Sequence, residues 1–155
     1  MKIKVLRFLA LVFAALTVGM RLAHVLELGP KMAWDADLYF SVQSTLYRFF
    51  AIVGPIVDVG AIISIIALVV ILRGRTSFSL TAAALIALLA SLAIWLIVVA
   101  PAHGHLATWI GSHTVPDDWM HWRNQWQFGQ AGCFVFDLSG FMLLLLSVIR
   151  DTPGD

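Results

Sequence analysis

LYRFFAIVGPIVDVGAIISIIALVVIL, residues 46–72, carries only two charges, Arg48 and Asp58, in an otherwise apolar stretch. A helix needs about 20 such residues to cross the ~30 Å of bilayer hydrocarbon, and this stretch exceeds that length. Comparable runs occupy 5–28, 78–100 and 128–149. The chain is therefore predicted to be all-α, an integral membrane four-helix up-down bundle with two longer outward-facing loops. It reads as one transmembrane domain over 1–155, with helices at roughly 5–28, 46–72, 78–100 and 117–149. Its first partner is the lipid bilayer.

Composition supports that class and excludes others. Hydrophobic residues make up 61% of the chain and charged residues 12%, more apolar surface than a water-soluble domain of this size can hide. The net charge of +1 comes with no basic patch and no aromatic platform among lysines and arginines, so nucleic acid is not expected as a partner. Cys133 is the only cysteine, which rules out an internal disulfide and a thiolate cluster and leaves it as a small apolar filler. The run 5–28, preceded by Lys2, Lys4 and Arg7, has the basic start of a signal peptide. It is too long for a signal core and no small-x-small site follows, so it is read as a retained helix.

The basic residues flanking the runs alternate between sides. Lys2, Lys4, Arg7, Arg73, Arg75 and Arg150 share one side, while Lys31 and Arg123 face Asp35, Asp37, Asp117 and Asp118 on the other. This pattern predicts a multi-pass protein with both termini in the cytoplasm. Residues 73–77 form a tight turn between antiparallel neighbours. Gly29-Pro30 is expected to stop the first helix, residues 31–44 to form an interfacial segment with Trp34 and Tyr39, and 101–115 to be a loop holding His103, His105 and His113. Pro116-Asp117-Asp118 is expected to open the fourth helix, with Trp119, Trp122 and Trp126 along one face as a belt or a lid.

The ionisable residues inside the runs point to function. Each costs ~2.5 kcal/mol or more in hydrocarbon, so they should face inward and find partners. His24, Glu27 and Lys31 follow steps of 3 and 4, with Arg21 a turn deeper; Arg123, Gln130 and Asp137 recur every seven residues. Asp58 and Asp137 fall at similar depth, with Arg21 and Arg48 a turn or two above. The expected result is an outward-opening polar pocket floored by two carboxyl groups, beside a kink at Gly54-Pro55. The competing reading is that these groups only lock the bundle together. No metal or cofactor is assigned. His24 with Glu27 is half of a di-iron motif without its second half, and the histidines 103, 105, 113 and 121 form no ligand set of specific spacing. No nucleophile elbow, phosphate loop or His-Glu-x-x-His motif supports hydrolase chemistry.

Ala23-His-Val-Leu-Glu-Leu28, Lys31-Met32, Tyr39, Gln43 and Tyr47-Arg48, then Pro101-Ala102, Thr114-Val-Pro-Asp-Asp-Trp119, Arg123 and Gln125-Trp126, span most of the chain. Together they resemble a family of small bacterial four-helix membrane proteins of unknown function related to the anthrone oxygenases. The resemblance marks His24, Glu27, Gln43, Arg48, Trp119, Arg123 and Trp126 as matching positions. It implies oxidation of a polycyclic phenolic substrate without a cofactor. Members tend to carry Glu and His where this chain has Gln127 and Gln130.

The expected function is binding of a lipophilic aromatic or quinone-like molecule, with anthrone-oxygenase-like activity open as an extension. His24 and Glu27 are the candidate catalytic bases. Arg21, Gln43, Arg48, Asp58, Trp119, Arg123, Trp126, Gln130 and Asp137 are the candidate ligand-binding residues. Two alternatives stay open: an accessory subunit that packs on membrane protein partners or on its own copies, and a small transporter of protons or solutes through Asp58 and Asp137.

Overall fold

The computed structural model describes residues 2–151; residues 1 and 152–155 of the expected single domain lie outside the described part. It is helical throughout, with no strand among the described residues: α1 Lys2–Met32, α2 Ala36–Thr45, α3 Arg48–Ile71, α4 Phe78–Ile94, a π-helical turn Trp95–Val99, α5 Ala100–Ser112 and α6 Trp119–Arg150. Four helices are long and apolar enough to span a bilayer, namely α1, α3, the continuous α4–α5 and α6. The protein is thus an all-α multi-pass membrane bundle.

Burial is inverted relative to a water-soluble protein. Phe8, Ile56, Ile97, Phe128 and Ile149 are exposed on the outside, while Arg21, His24, Lys31, Gln127, Gln130 and Asp137 are buried. Only lipid makes that arrangement favourable, because apolar side chains lose nothing there and polar ones must find partners inside. The helices close a ring in which α1 and α4 each pack on both α3 and α6. One apolar core, built on Ala10, Ala61, Ile65, Leu68, Ala84, Leu88 and Leu144, fills the half near the termini. A second, aromatic core with Tyr39, Tyr47, Trp126 and Leu106 fills the other half.

Three sequence expectations are corrected. Gly29-Pro30 does not stop the first helix, which runs on to Met32 with Pro30 inside it. A proline in the last turn removes a single donor, and Lys31 is held back against the bundle by Glu27 at 2.9 Å and by the Tyr47 ring, 3.7 Å from its Nζ. Residues 101–115 are not a loop, since α4 continues as α5 to Ser112. The turn of π-helix just before Pro101, closed by the Ala100 N–H on the Trp95 carbonyl, widens the ladder where the proline ring would otherwise collide with the preceding turn. Gln125 Nε2 also donates to the Val98 carbonyl at 3.0 Å within this irregular stretch. The fourth long helix begins at Trp119 and not at 117. The interfacial segment folds into α2, capped by Asp35, whose carboxylate accepts the Leu38 N–H at 2.9 Å.

The start of α1, the α3–α4 turn and the end of α6 meet at one end of the bundle. Asp151 accepts hydrogen bonds there from Arg7, from Ser77 Oγ at 2.7 Å and from Thr76 Oγ1 at 3.1 Å. These donors, Ser77 first, hold the Asp151 carboxyl below the usual carboxylate range.

Candidate functional site

At the other end α3 and α5 separate. α3 packs along α4 but makes no comparable contact with α5, and α2 crosses between them. Small residues leave the gap unfilled: Ala51 and Gly54 on α3 and Ala107 on α5 all line it. Pro55 has no N–H to give the Ala51 carbonyl, so α3 is weakened beside the gap, as its sequence suggests. The result is a cavity of about 440 Å³, within the range of small-molecule sites.

Its floor is a charged cluster drawn from three helices. Arg21 of α1 donates from Nη2 to Asp58 Oδ2 of α3 at 3.1 Å, from Nε to Asp137 Oδ2 of α6 at 3.3 Å and from Nη1 to Gln130 Oε1 of α6 at 2.5 Å. Thr17, one turn before Arg21 on α1, donates to Asp58 Oδ1 at 3.0 Å. One guanidinium fork thus serves two carboxylates and an amide, which removing charges from water requires. Arg21 starts about a turn above Asp58, since Met20 lies beside Gly54 and Phe13 beside Gly60, and its guanidinium reaches down to the two aspartates. Asp58 is the open member: its side chain is 30% exposed against 5% for Asp137, which instead lines a much smaller cleft beside Leu88 and Ser91.

The walls are aromatic. His24 stacks on Tyr47 with ring centres 5.0 Å apart, meets Trp126 edge-on at 5.0 Å and lies 5.1 Å from Phe50. His24 Nδ1 and the Tyr47 hydroxyl are buried without a hydrogen-bond partner among the described residues. Buried polar groups are rarely left so, and both belong to residues that line the cavity. Trp95 completes the wall from the π-turn, and Arg48, Gln43 and Ser44 stand at the outer rim. Gln43 is engaged by Tyr39, whose hydroxyl accepts from its Nε2 at 2.8 Å. Burial pushes the Tyr39 phenol up to about 12, against hydrogen bonding from Gln43, so it stays protonated at neutral pH.

Of the residues singled out from sequence, Arg21, His24, Gln43, Arg48, Asp58, Trp126 and Gln130 line the cavity, and Asp137 supports its floor. The remaining three do neither. Glu27 turns to Lys31, whereas Arg123 and Trp119 pack on each other, the guanidinium 4.9 Å from the ring centre, with Arg123 also donating to the Trp34 carbonyl at 3.4 Å. Thr17, Phe50 and Trp95 were not singled out. Thr17 shares the face of Arg21 at a spacing of four, a signal the sequence does carry. The sequence gives no comparable sign of the π-turn that aims Trp95. Among the described residues no three His, Cys, Asp or Glu side chains come together as a metal cage; His105 stacks on Trp122 at 3.8 Å instead.

Comparison with protein-family models, with curated proteins and with solved structures finds no match.

Proposed function

We propose that this membrane protein binds a lipophilic aromatic or quinone-like molecule in the cavity between α3 and α5. The observation that carries the reading is the joining of aromatic walls, His24, Tyr47, Phe50, Trp95 and Trp126, to a polar floor of Arg21, Asp58 and Gln130. Flat rings stack on such walls, and a carbonyl or hydroxyl at their edge finds donors and acceptors at the floor. Bundle locking alone accounts for Arg21 and Asp137; it leaves the cavity and the two unpartnered polar groups beside it without a role. Mass spectrometry of protein purified in mild detergent tests this directly. A single lipophilic molecule near one per chain is expected, and its loss when Ala107→Trp fills the gap. A protein that is always empty contradicts the reading.

The resemblance to the anthrone oxygenases extends the proposal to catalysis. His24 would accept a proton from the acidic carbon or phenol of the substrate, and Arg48 would stabilise the anion that then reacts with oxygen. Anthrone plus O2 would leave as anthraquinone plus water. Because Glu27 is committed to Lys31, His24→Ala should abolish anthrone turnover while Glu27→Gln leaves it largely intact.

The charges also support an orientation. Lys4, Arg7, Arg73, Arg75 and Arg150 belong to the end where α1 starts and α6 finishes, and Asp35, Asp37, Asp117 and Asp118 to the end with the cavity. The proposal is a cytoplasmic location for both termini and a cavity on the outer side of a bacterial inner membrane.

A further inference from the structure

We infer that the cavity takes its ligand from the bilayer, through the slot between α3 and α5, and selects an elongated amphiphile whose anionic head it seats at Arg48. The inference rests on the ligand-binding reading above and names the chemical class of the ligand.

Three observations lead to it. The slot is bordered on α3 by Arg48, Ala51 and Pro55, at steps of 3 and 4, and on α5 by His103, Ala107 and Ile110, at steps of 4 and 3. All but the half-buried Ile110 are exposed, on segments that belong to membrane-spanning helices. The cavity therefore opens sideways between two helices long and apolar enough to span a bilayer, while Gln43 and Ser44 of α2 also border it.

Second, Arg48 has no ion pair or hydrogen bond with any described residue, whereas Arg21, the other arginine lining the cavity, holds two carboxylates. An unmatched guanidinium at a hydrocarbon boundary is costly, and a planar anionic head such as a carboxylate meets its fork of donors.

Third, the two charged ends of the cavity are far apart. Arg48 and Asp58 are separated by ten residues of one helix (58 − 48), about 15 Å at 1.5 Å per residue. An anion at the rim stays clear of the floor carboxylates, and the length between is walled by Phe50, Tyr47 and Trp126. A molecule lying with its head at the start of α3 and its rings toward the floor has the alignment that an amphiphile already holds in a lipid leaflet.

The probes are pyrenebutyrate and its methyl ester, the same ring system with and without the anion, added to the full chain in phosphatidylcholine vesicles. Energy transfer from tryptophan to pyrene reads occupancy. The acid should saturate at about ten-fold lower concentration than the ester. Arg48→Gln should remove that preference, while Arg48→Lys retains most of it. Equal affinities, or a preference that survives Arg48→Gln, overturn the inference but leave the ligand-binding reading standing. Transfer that rises linearly without saturation for both probes overturns the two together. The preference is a ratio measured on one folded sample, so a loss of protein in a variant does not imitate the expected result.

Discussion

The α4–α5 rod has two seams, and they are built differently. Against α6 it is closed along its whole length; against α3 it is closed only as far as α4 and opens beside α5. The closed seam is made by small residues that bring backbones together. A Cβ on Gly140 would run into Leu88 Cδ1 and stand 3.2 Å from the Ala84 carbonyl oxygen, and one on Gly129 would meet Val99 Cγ2 at 2.7 Å. Thr81 and Ser147 add a buried hydroxyl pair at 2.7 Å, and Cys133 and Ser91 exchange donors at 3.4 Å. Along the open seam the small residues Ala51, Gly54 and Ala107 face space instead of backbone. The same residue types thus produce tight packing or a cavity according to whether another helix packs opposite them.

On the open side α3 is held to the bundle by its packing on α1 and by the floor cluster. Arg21→Met should therefore have the largest effect on this contrast. It removes the fork that serves both Asp58 and Asp137 and leaves two carboxyl groups without their cation. Breaking one partner of a buried pair costs about 3–5 kcal/mol, which unfolding in increasing sodium dodecyl sulfate would register. A loss below about 1 kcal/mol would mean that the cluster does not secure α3.

The two seams should also respond differently to one added methyl group. Gly140→Ala has to push α6 from α4 and should cost about 1–3 kcal/mol, the range for overpacking. Gly54→Ala, whose Cβ meets only Met20 Cε at 3.5 Å, should leave stability within about 0.5 kcal/mol of the parent. If both cost the same, the two seams are equally tight and the cavity account weakens.

The smallest expected effect lies away from both seams, at the terminal clamp. The Asp151 carboxyl is held below its ordinary value, so its contribution is complete at neutral pH, above the unfolded value, and is lost as pH falls below about 4 through the lowered folded value. Asp151→Asn should lower stability slightly at pH 7 and flatten the pH dependence below 4. An unchanged acid limb would show that the clamp is not coupled to folding.

This contrast also marks how far the sequence can be read. The four spans follow from run length alone, and the floor cluster is legible because Arg21, Asp58, Gln130 and Asp137 are polar groups that hydrocarbon obliges to meet. The open seam is harder to foresee. Pro101 and two nearby glycines signal a loop, and only the tertiary setting, in which a π-turn absorbs the proline and Gln125 reaches its carbonyl, keeps that stretch helical. Glu27 and Arg123 share the faces of cavity residues in a helical projection, yet each is diverted to a nearer partner, Lys31 in one case and Trp119 in the other. Periodicity assigns a face to a residue; the partner that captures its side chain depends on neighbours distant in sequence.

The central claim, that the open seam is a chamber for a lipophilic ring system, is tested most directly by titrating the protein with 2-methyl-1,4-naphthoquinone and following tryptophan fluorescence. Trp95 and Trp126 line the chamber, whereas Trp34 does not. Quenching should saturate near one molecule per chain, fall sharply in the Trp95→Phe/Trp126→Phe double variant and persist in Trp34→Phe. Quenching that never saturates, or that is as strong in the double variant as in the parent, would contradict the account.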